Sequence, residues 1–418
     1  MKKFLATVGA WIFVCLLPLI AYSGSLKVSS PESVGMSSER LQAFSNYFAD
    51  LVDDERSGGY QLLVARRGKV VMHENIGMAR VAEGVPIDDD TLFRIFSMTK
   101  PIVGVAMMML YEEGHYSLAD PVSKHLPELK DLMVYALEDD EGNMILEKPD
   151  KEPTIHDLMQ HTAGFTYGIF GDTAVDAQYR DKDLLNYDNT MAQNLATVAS
   201  IPLLYQPGSR WVYSVSVDIQ AYLIEKITGM EVGEFLQERI FDPLGMDETM
   251  AWVPPEKTDL LAHVYTHDED GKRTIFEGPF ATNAYRAPGT FSGGGQLIST
   301  SDDYLRFCQM LLNGGELDGK RYLSPRTVSM MTTNRLGDDI AFRPGQGFGL
   351  NFGVVTDATQ VGYAASNGEY YWGGLANTVF WVDPQEEMIV IMMSQYLPHA
   401  GNQYHDILHR LVRAAIIE

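Results

Sequence analysis

Cysteine is nearly missing from this chain. Two occur in 418 residues, and Cys15 sits inside an apolar leader, which leaves Cys308 alone in the remainder of the chain. With the leader removed no internal disulfide can form, so stability has to come from a hydrophobic core. Basic residues are scarce as well, 32 against 56 acidic ones, for a formal charge of −24. That balance argues against a nucleic-acid partner, because phosphate binding needs a basic surface from which counterions are released. Three catalytic signatures are absent: Gly-x-Ser-x-Gly, His-Glu-x-x-His, and a phosphate loop, since the glycine run Gly293–Gly295 has no Lys-Ser/Thr behind it. The α/β-hydrolase triad, the zinc-protease helix and nucleotide binding go with them. His405 and His409 stand at i, i+4, yet no cysteine cluster accompanies them, and they read as a helix face rather than as metal ligands. No metal and no cofactor are expected.

The longest uncharged apolar run, Phe4 to Ala21, follows Met1-Lys2-Lys3 and precedes Ser23-Gly24-Ser25. A basic start, an apolar middle and small residues read as a secretory signal over residues 1–23, which places the protein in the periplasm or outside the cell. The run approaches the ~20 residues needed to span a bilayer, so an uncleaved anchor is the alternative. Once it is cleaved, no stable membrane span is expected.

What is present is enough for a large core: 45% hydrophobic and 11% aromatic residues, over a length that suits two structural lobes. A helix is expected from Ser38, with Leu41, Phe44, Phe48 and Leu51 on one face. Residues 60–65 and 70–74 are strand-like around a turn at Arg66-Arg67-Gly68-Lys69, a β-hairpin. The middle is different in character, with helical patterns at 155–161 and 219–227, long polar loops, and an acid-rich excursion from Glu138 to Glu152 that reads as a solvated insertion. A helix at 302–312, strands at 348–355, 375–383 and 387–394, and an amphipathic helix at 404–417 complete the chain. None of the strand pairs is joined by a long crossover helix. The fold class is therefore α+β: an antiparallel sheet flanked by the N- and C-terminal helices (about 24–115 and 285–418), with a mainly helical inserted lobe (about 116–284).

Three segments carry chemistry. The first is Phe93-Arg94-Ile95-Phe96-Ser97-Met98-Thr99-Lys100, leading into an apolar run to Tyr111. If Ser97 opens a helix, Lys100 lies one turn on and on the same face. Serine is a poor nucleophile until a neighbouring base takes its proton, and a lysine does so only when neutral. The second is Pro207-Gly208-Ser209-Arg210-Trp211-Val212-Tyr213-Ser214-Val215-Ser216, where a Pro-Gly turn delivers Tyr213 ahead of an apolar helix. A tyrosine hydroxyl beside Lys100 can relay that proton and later donate it to a leaving group. The third is Tyr370-Tyr371-Trp372-Gly373-Gly374-Leu375, read as the start of a strand. Its paired glycines let the backbone approach a ligand, so the Leu375 and Ser97 amides can form an oxyanion hole.

Together these segments resemble the serine hydrolases that include class C β-lactamases, D-alanyl-D-alanine peptidases and related family VIII carboxylesterases. The resemblance runs from about residue 30 to the C-terminus and takes in His161-Thr162-Ala163-Gly164 and Gly293–Gly295. It implies Ser97 as nucleophile, Lys100 and Tyr213 as the base pair, and Ser97, Trp372, Gly373, Gly374 and Leu375 at the oxyanion and substrate site. His161 reads as structural. Two departures separate the branches. Lactamases and peptidases have Tyr-x-Asn where Val215 stands here, and a lysine where Trp372 stands. Losing that charge-assisted contact, about 1.5–3 kcal/mol, costs carboxylate-bearing substrates ten- to a hundredfold, and an indole suits an uncharged group. The expectation is an esterase acting on a small-molecule ester or acyl substrate. The alternatives are a β-lactamase or D-Ala-D-Ala carboxypeptidase and, from another class, a non-catalytic penicillin-binding-like protein that binds peptidoglycan fragments or a partner. Oligomeric state is not legible.

Overall fold

Gly59 to Arg66 is buried at every position, although the hairpin it opens lies near the start of the chain. A strand that is apolar without alternation needs cover on both faces, and the computed structural model shows how the cover is built. The structure describes residues 28–418 except 183, 185, 288 and 400–402. The expected leader over residues 1–23, with Cys15, lies outside the described residues.

β1 (Gly59–Arg66), β2 (Lys69–Arg80) and the short β3 (Val85–Pro86) come first. Five more strands come from the C-terminal part: β4 (Gln346–Phe348), β5 (Gly353–Val355), β6 (Tyr370–Gly373), β7 (Val379–Asp383) and β8 (Met388–Ser394). They form one eight-stranded antiparallel sheet in the order β4-β5-β6-β7-β8-β1-β2-β3. β8 joins the two groups, with Tyr60 opposite Ser394 and Arg66 opposite Met388.

Seven helices matter for the site: α1 (Ser38–Asp53), α2 (Thr99–Glu112), α3 (Ile155–Met159), α4 (Ala174–Asp181), α5 (Ser216–Thr228), α6 (Ser301–Leu312) and α7 (Gln403–Ala414). α1 and α7 cover one face together: the Phe48 and Tyr404 rings stack at 6.2 Å, and the Tyr60 and Tyr404 hydroxyls lie 3.0 Å apart. Side chains alternate across a strand, and α6 covers the opposite face, its Tyr304 ring 5.1 Å from Phe380 of β7. α2 is buried from Thr99 to Leu110 and packs on α5. Cys308 is fully buried.

Four expectations are corrected. The strand expected at 348–355 is a hairpin, because Gly349 N–H donates to Phe352 O and Asn351 takes a left-handed φ of 65° while its side chain turns inward to Gln220. The strand at 375–383 starts only at Val379; Tyr370–Gly373 is a strand of its own, and Leu375 sits in the turn between them. That turn closes where Gly374 N–H donates to Thr378 O, with Asn377 at φ 64°. The helix at 155–161 stops at Met159, its Thr154–Asp157 capping box making a single short turn. Ser97 does not open α2 but lies in the 3-10 turn Phe96–Met98 just before it. The acid-rich excursion is largely exposed, with a small hairpin, Val134–Glu138 against Met144–Glu147, at its start. Among the described residues no helix is long and apolar enough to cross a membrane.

Candidate active site

The turn carrying Ser97 is held from both sides. On one side, Phe93 and Arg94 pair with Ser299 and Ile298, which brings the Gly293–Gly295 loop beneath it. On the other, Gly374 lies so near Ile95 that a Cβ there would come 2.5 Å from the Ile95 carbonyl oxygen, so only glycine fits. Phe96 takes a φ of 44°, in the left-handed region that a bulky residue adopts at a cost of about 1–3 kcal/mol. The kink sends Ser97 into the cavity while Phe96 itself stays buried.

Two polar atoms converge on the serine oxygen. Lys100 Nζ donates to Ser97 Oγ at 3.1 Å, and the Tyr213 hydroxyl donates to the same oxygen at 2.7 Å. Lys100, the second residue of α2 and three residues beyond Ser97 as the spacing required, is 1% exposed. Its Nζ also donates to Gly294 O at 2.6 Å and stands 4.5 Å from the Tyr213 ring centre and 5.2 Å from that of Tyr167. Tyr213 emerges from the loop before α5, stacked on Trp211 at 6.1 Å and tilted against Trp372 at 5.5 Å.

Two groups beneath the lysine escape a reading of the sequence. Asp218, fully buried in α5, accepts from Ser292 Oγ at 2.7 Å and from Gly294 N–H at 3.1 Å. Burial raises its pKa, and the Lys100 charge opposes that rise. Tyr167 packs 5.2 Å from Tyr213, its phenol held protonated by burial and then by the Asp218 charge. A lone acid inside the apolar stretch Val217–Ile224 is the available signal for Asp218. Nothing local marks Tyr167.

His161 is structural, as expected, and its place is specific. Fully buried at φ 59°, it bonds Ser214 Oγ through Nδ1 at 3.1 Å and packs 5.1 Å from the Tyr213 ring. Burial, and then the Lys100 charge, push its pKa well below the usual value, so it is a neutral buttress for the loop that carries Tyr213.

A cavity of about 1040 Å³ opens over Ser97, near the upper end of ordinary ligand pockets. Trp372, Gly373, Gly374 and Leu375 line it, together with Tyr167, Phe170 and Tyr213 and the cations Arg180, Arg286 and Arg343. Of the residues picked from sequence, Ser97, Tyr213, Trp372, Gly373, Gly374 and Leu375 thus face one space, and Lys100 lies buried behind Ser97. His405 and His409 are not a helix surface: both are buried against β6 and β7, with Glu369 Oε1 2.6 Å from His409 Nε2. Among the described residues no group of His, Cys, Asp and Glu is arranged to hold a metal.

An eight-stranded antiparallel sheet with helices on both faces and a serine–lysine–tyrosine cluster beside β6 is the β-lactamase/transpeptidase-like fold. The chain belongs to the Beta-lactamase family, whose family model matches residues 44–414. An uncharacterised protein of Mycobacterium tuberculosis (strain CDC 1551 / Oshkosh) is 34% identical over 81% of this chain and 86% of its own length. The esterase EstB of Burkholderia gladioli is 28% identical over 83% and 88%. Among solved structures, EstCE1, described as a hydrolase with promiscuous acyltransferase activity, superposes with a TM-score of 0.76 at 25% identity, covering 93% of this chain and 99% of its own. The family is one of hydrolases and includes esterases.

Proposed function

We propose that the chain is a serine hydrolase that cleaves carboxylic esters through a covalent acyl-enzyme on Ser97. One observation carries the reading: Ser97 Oγ lies within hydrogen-bond reach of both Lys100 Nζ and the Tyr213 hydroxyl, in a cavity where Trp372 occupies the third-motif position and the cations, Arg180, Arg286 and Arg343, come from other parts of the lining. The Lys100–Tyr213 pair takes the serine proton as Oγ attacks the ester carbonyl. Negative charge gathers on the carbonyl oxygen, where the Ser97 and Leu375 amides stabilise it. Tyr213 returns the proton to the departing alcohol, and water or a second alcohol then releases the acyl group. The EstB and EstCE1 similarities support an ester substrate, and the apolar indole supports an uncharged one. The leader-like N-terminus supports a periplasmic or secreted location.

The test compares p-nitrophenyl butyrate with a chromogenic cephalosporin, each beside Ser97→Ala, with stoichiometric labelling of Ser97 by a fluorophosphonate. Ester turnover and labelling that both vanish in the variant are the expected result. Efficient cephalosporin turnover would move the assignment to a β-lactamase. An unlabelled, inactive protein would make it a binding protein.

A further inference from the structure

Ile169 and Phe170 stand at the mouth of the cavity, 56% and 60% exposed, on a chain that otherwise presents a strongly acidic composition to water. Exposed apolar pairs of this kind are usually carried by loose tips; this one is pinned. The Arg180 guanidinium, projecting from α4, donates to the carbonyls on both sides of the pair, Gly168 O at 2.6 Å and Gly171 O at 3.1 Å, and to Asp172 Oδ1 at 3.0 Å. Asp176 holds the loop from beneath: it accepts from Thr166 Oγ1 at 2.7 Å and closes a capping box with Thr173. Neither flanking glycine can be replaced in place, because a Cβ on Gly168 would press on Tyr179 and one on Gly171 would run into the Asp176 carboxylate. The loop therefore presents its two apolar side chains outward in a fixed geometry.

The pair also has a definite side. The Phe170 ring lies 5.5 Å from the Tyr213 ring and 5.8 Å from that of Tyr167. In the ester-hydrolase reading, on which this inference rests, Tyr213 delivers the proton to the departing alcohol. The Gly374–Leu375 turn, whose amide would hold the oxyanion, lines the same cavity, and the Phe170 contacts are to the two tyrosines. We infer that Ile169 and Phe170 form a lip that receives an apolar alcohol portion of the substrate, so that the preferred esters carry a bulky hydrocarbon on the leaving side. Covering an exposed ring and an isoleucine with such a group removes apolar surface from water, which no part of the chain itself does at this place.

The experiment uses methyl butyrate and hexyl butyrate, followed by proton release in a pH-stat. Both give the same butyryl-enzyme, so the ratio of their kcat/KM values reports acylation alone. In the wild type the ratio should favour hexyl butyrate. In Phe170→Ala and Ile169→Ser, both at exposed positions where folding is not at stake, it should fall about tenfold, what removing roughly two methylenes from an apolar contact costs. A ratio that stays put in both variants overturns the lip. So does a fall that appears instead between p-nitrophenyl hexanoate and p-nitrophenyl acetate, because the pair would then read the acyl side. Failure of the wild type to hydrolyse any of the four esters would overturn the ester reading itself, and the lip with it, without recourse to the variants.

Discussion

Lys100 Nζ stands 2.6 Å from the carbonyl oxygen of Gly294, and the N–H of that same glycine is held by Asp218. The amine that serves Ser97 is thus aimed by a backbone carbonyl, and the carbonyl is aimed by a buried carboxylate on α5. Gly293, one residue earlier, lies so close to α5 that a Cβ would collide with the Val217 carbonyl oxygen.

Gly293→Ala should therefore displace the loop and withdraw the acceptor from Lys100. Shifts of about 1 Å at a catalytic group cost around a hundredfold. We expect a fall of that order in kcat for p-nitrophenyl butyrate with a much smaller change in KM, in a protein whose circular dichroism matches the wild type.

His161 sets a pH limit on stability. Its folded pKa is depressed by burial, and then by the Lys100 charge. As pH falls through the ordinary histidine value of about 6.5, the unfolded chain binds a proton that the folded chain refuses. Stability is full above that pH and is lost below it. His161→Gln should lower Tm at pH 8, where the Ser214 contact is perturbed, but show a shallower fall in Tm between pH 7 and pH 5 than the wild type. Thermal melts across that range check it.

Glu369 works in the opposite sense. Burial, partly offset by the Arg413 charge, lifts its carboxyl to about 7, while His409 is pushed down to about 3. His409 Nδ1 donates to His405 O, so its Nε2 is left to accept from the protonated carboxyl. Because the folded pKa lies above the unfolded one, the stabilising contribution is full below the ordinary glutamate range near 4.3 and is lost as pH rises through about 7. Glu369→Gln keeps a donor toward Nε2. The wild type's advantage in Tm over this variant should be largest near pH 5 and should shrink toward pH 8.

Trp372→Lys tests why the substrate is expected to be uncharged. It places a cation at the third-motif position, in addition to the Arg180, Arg286 and Arg343 that line the cavity elsewhere, and a charge-assisted contact of about 1.5–3 kcal/mol raises the preference for a carboxylate-bearing substrate over a neutral ester by ten- to a hundredfold. Comparing kcat/KM for the cephalosporin and for p-nitrophenyl butyrate in variant and wild type measures that preference.

The elements legible in the sequence are those whose signal is periodic or punctuated: the Ser38 helix, the hairpin around Gly68, the buried α2 and the last strand. The spacing of Ser97 and Lys100 holds even though the turn carrying Ser97 is 3-10 in form, since three residues bring side chains to one side in either helix. What stays hidden depends on long-range contacts. Asn351 breaks an apolar run because its amide is drawn to Gln220, and Leu375 leaves the strand because Gly374 must fit against Ile95. Asp218 and Tyr167 join the site from places where no neighbouring residue announces them. His405 and His409 look like an exposed face in sequence because what covers them, the Tyr371 ring over His405 and the Glu369 carboxyl on His409, lies on β6 and the approach to it.

β1 owes one of its two neighbours to the far end of the polypeptide, with Tyr60 waiting for Ser394. During synthesis the first hairpin is made early, yet its inner edge has no partner until nearly the whole chain has emerged. Contacts of such long sequence separation slow folding and leave strand edges open to wrong pairing. A chain built in this way cannot finish its sheet while it is still being made. Truncation within β8 should abolish folding altogether rather than trim a terminus.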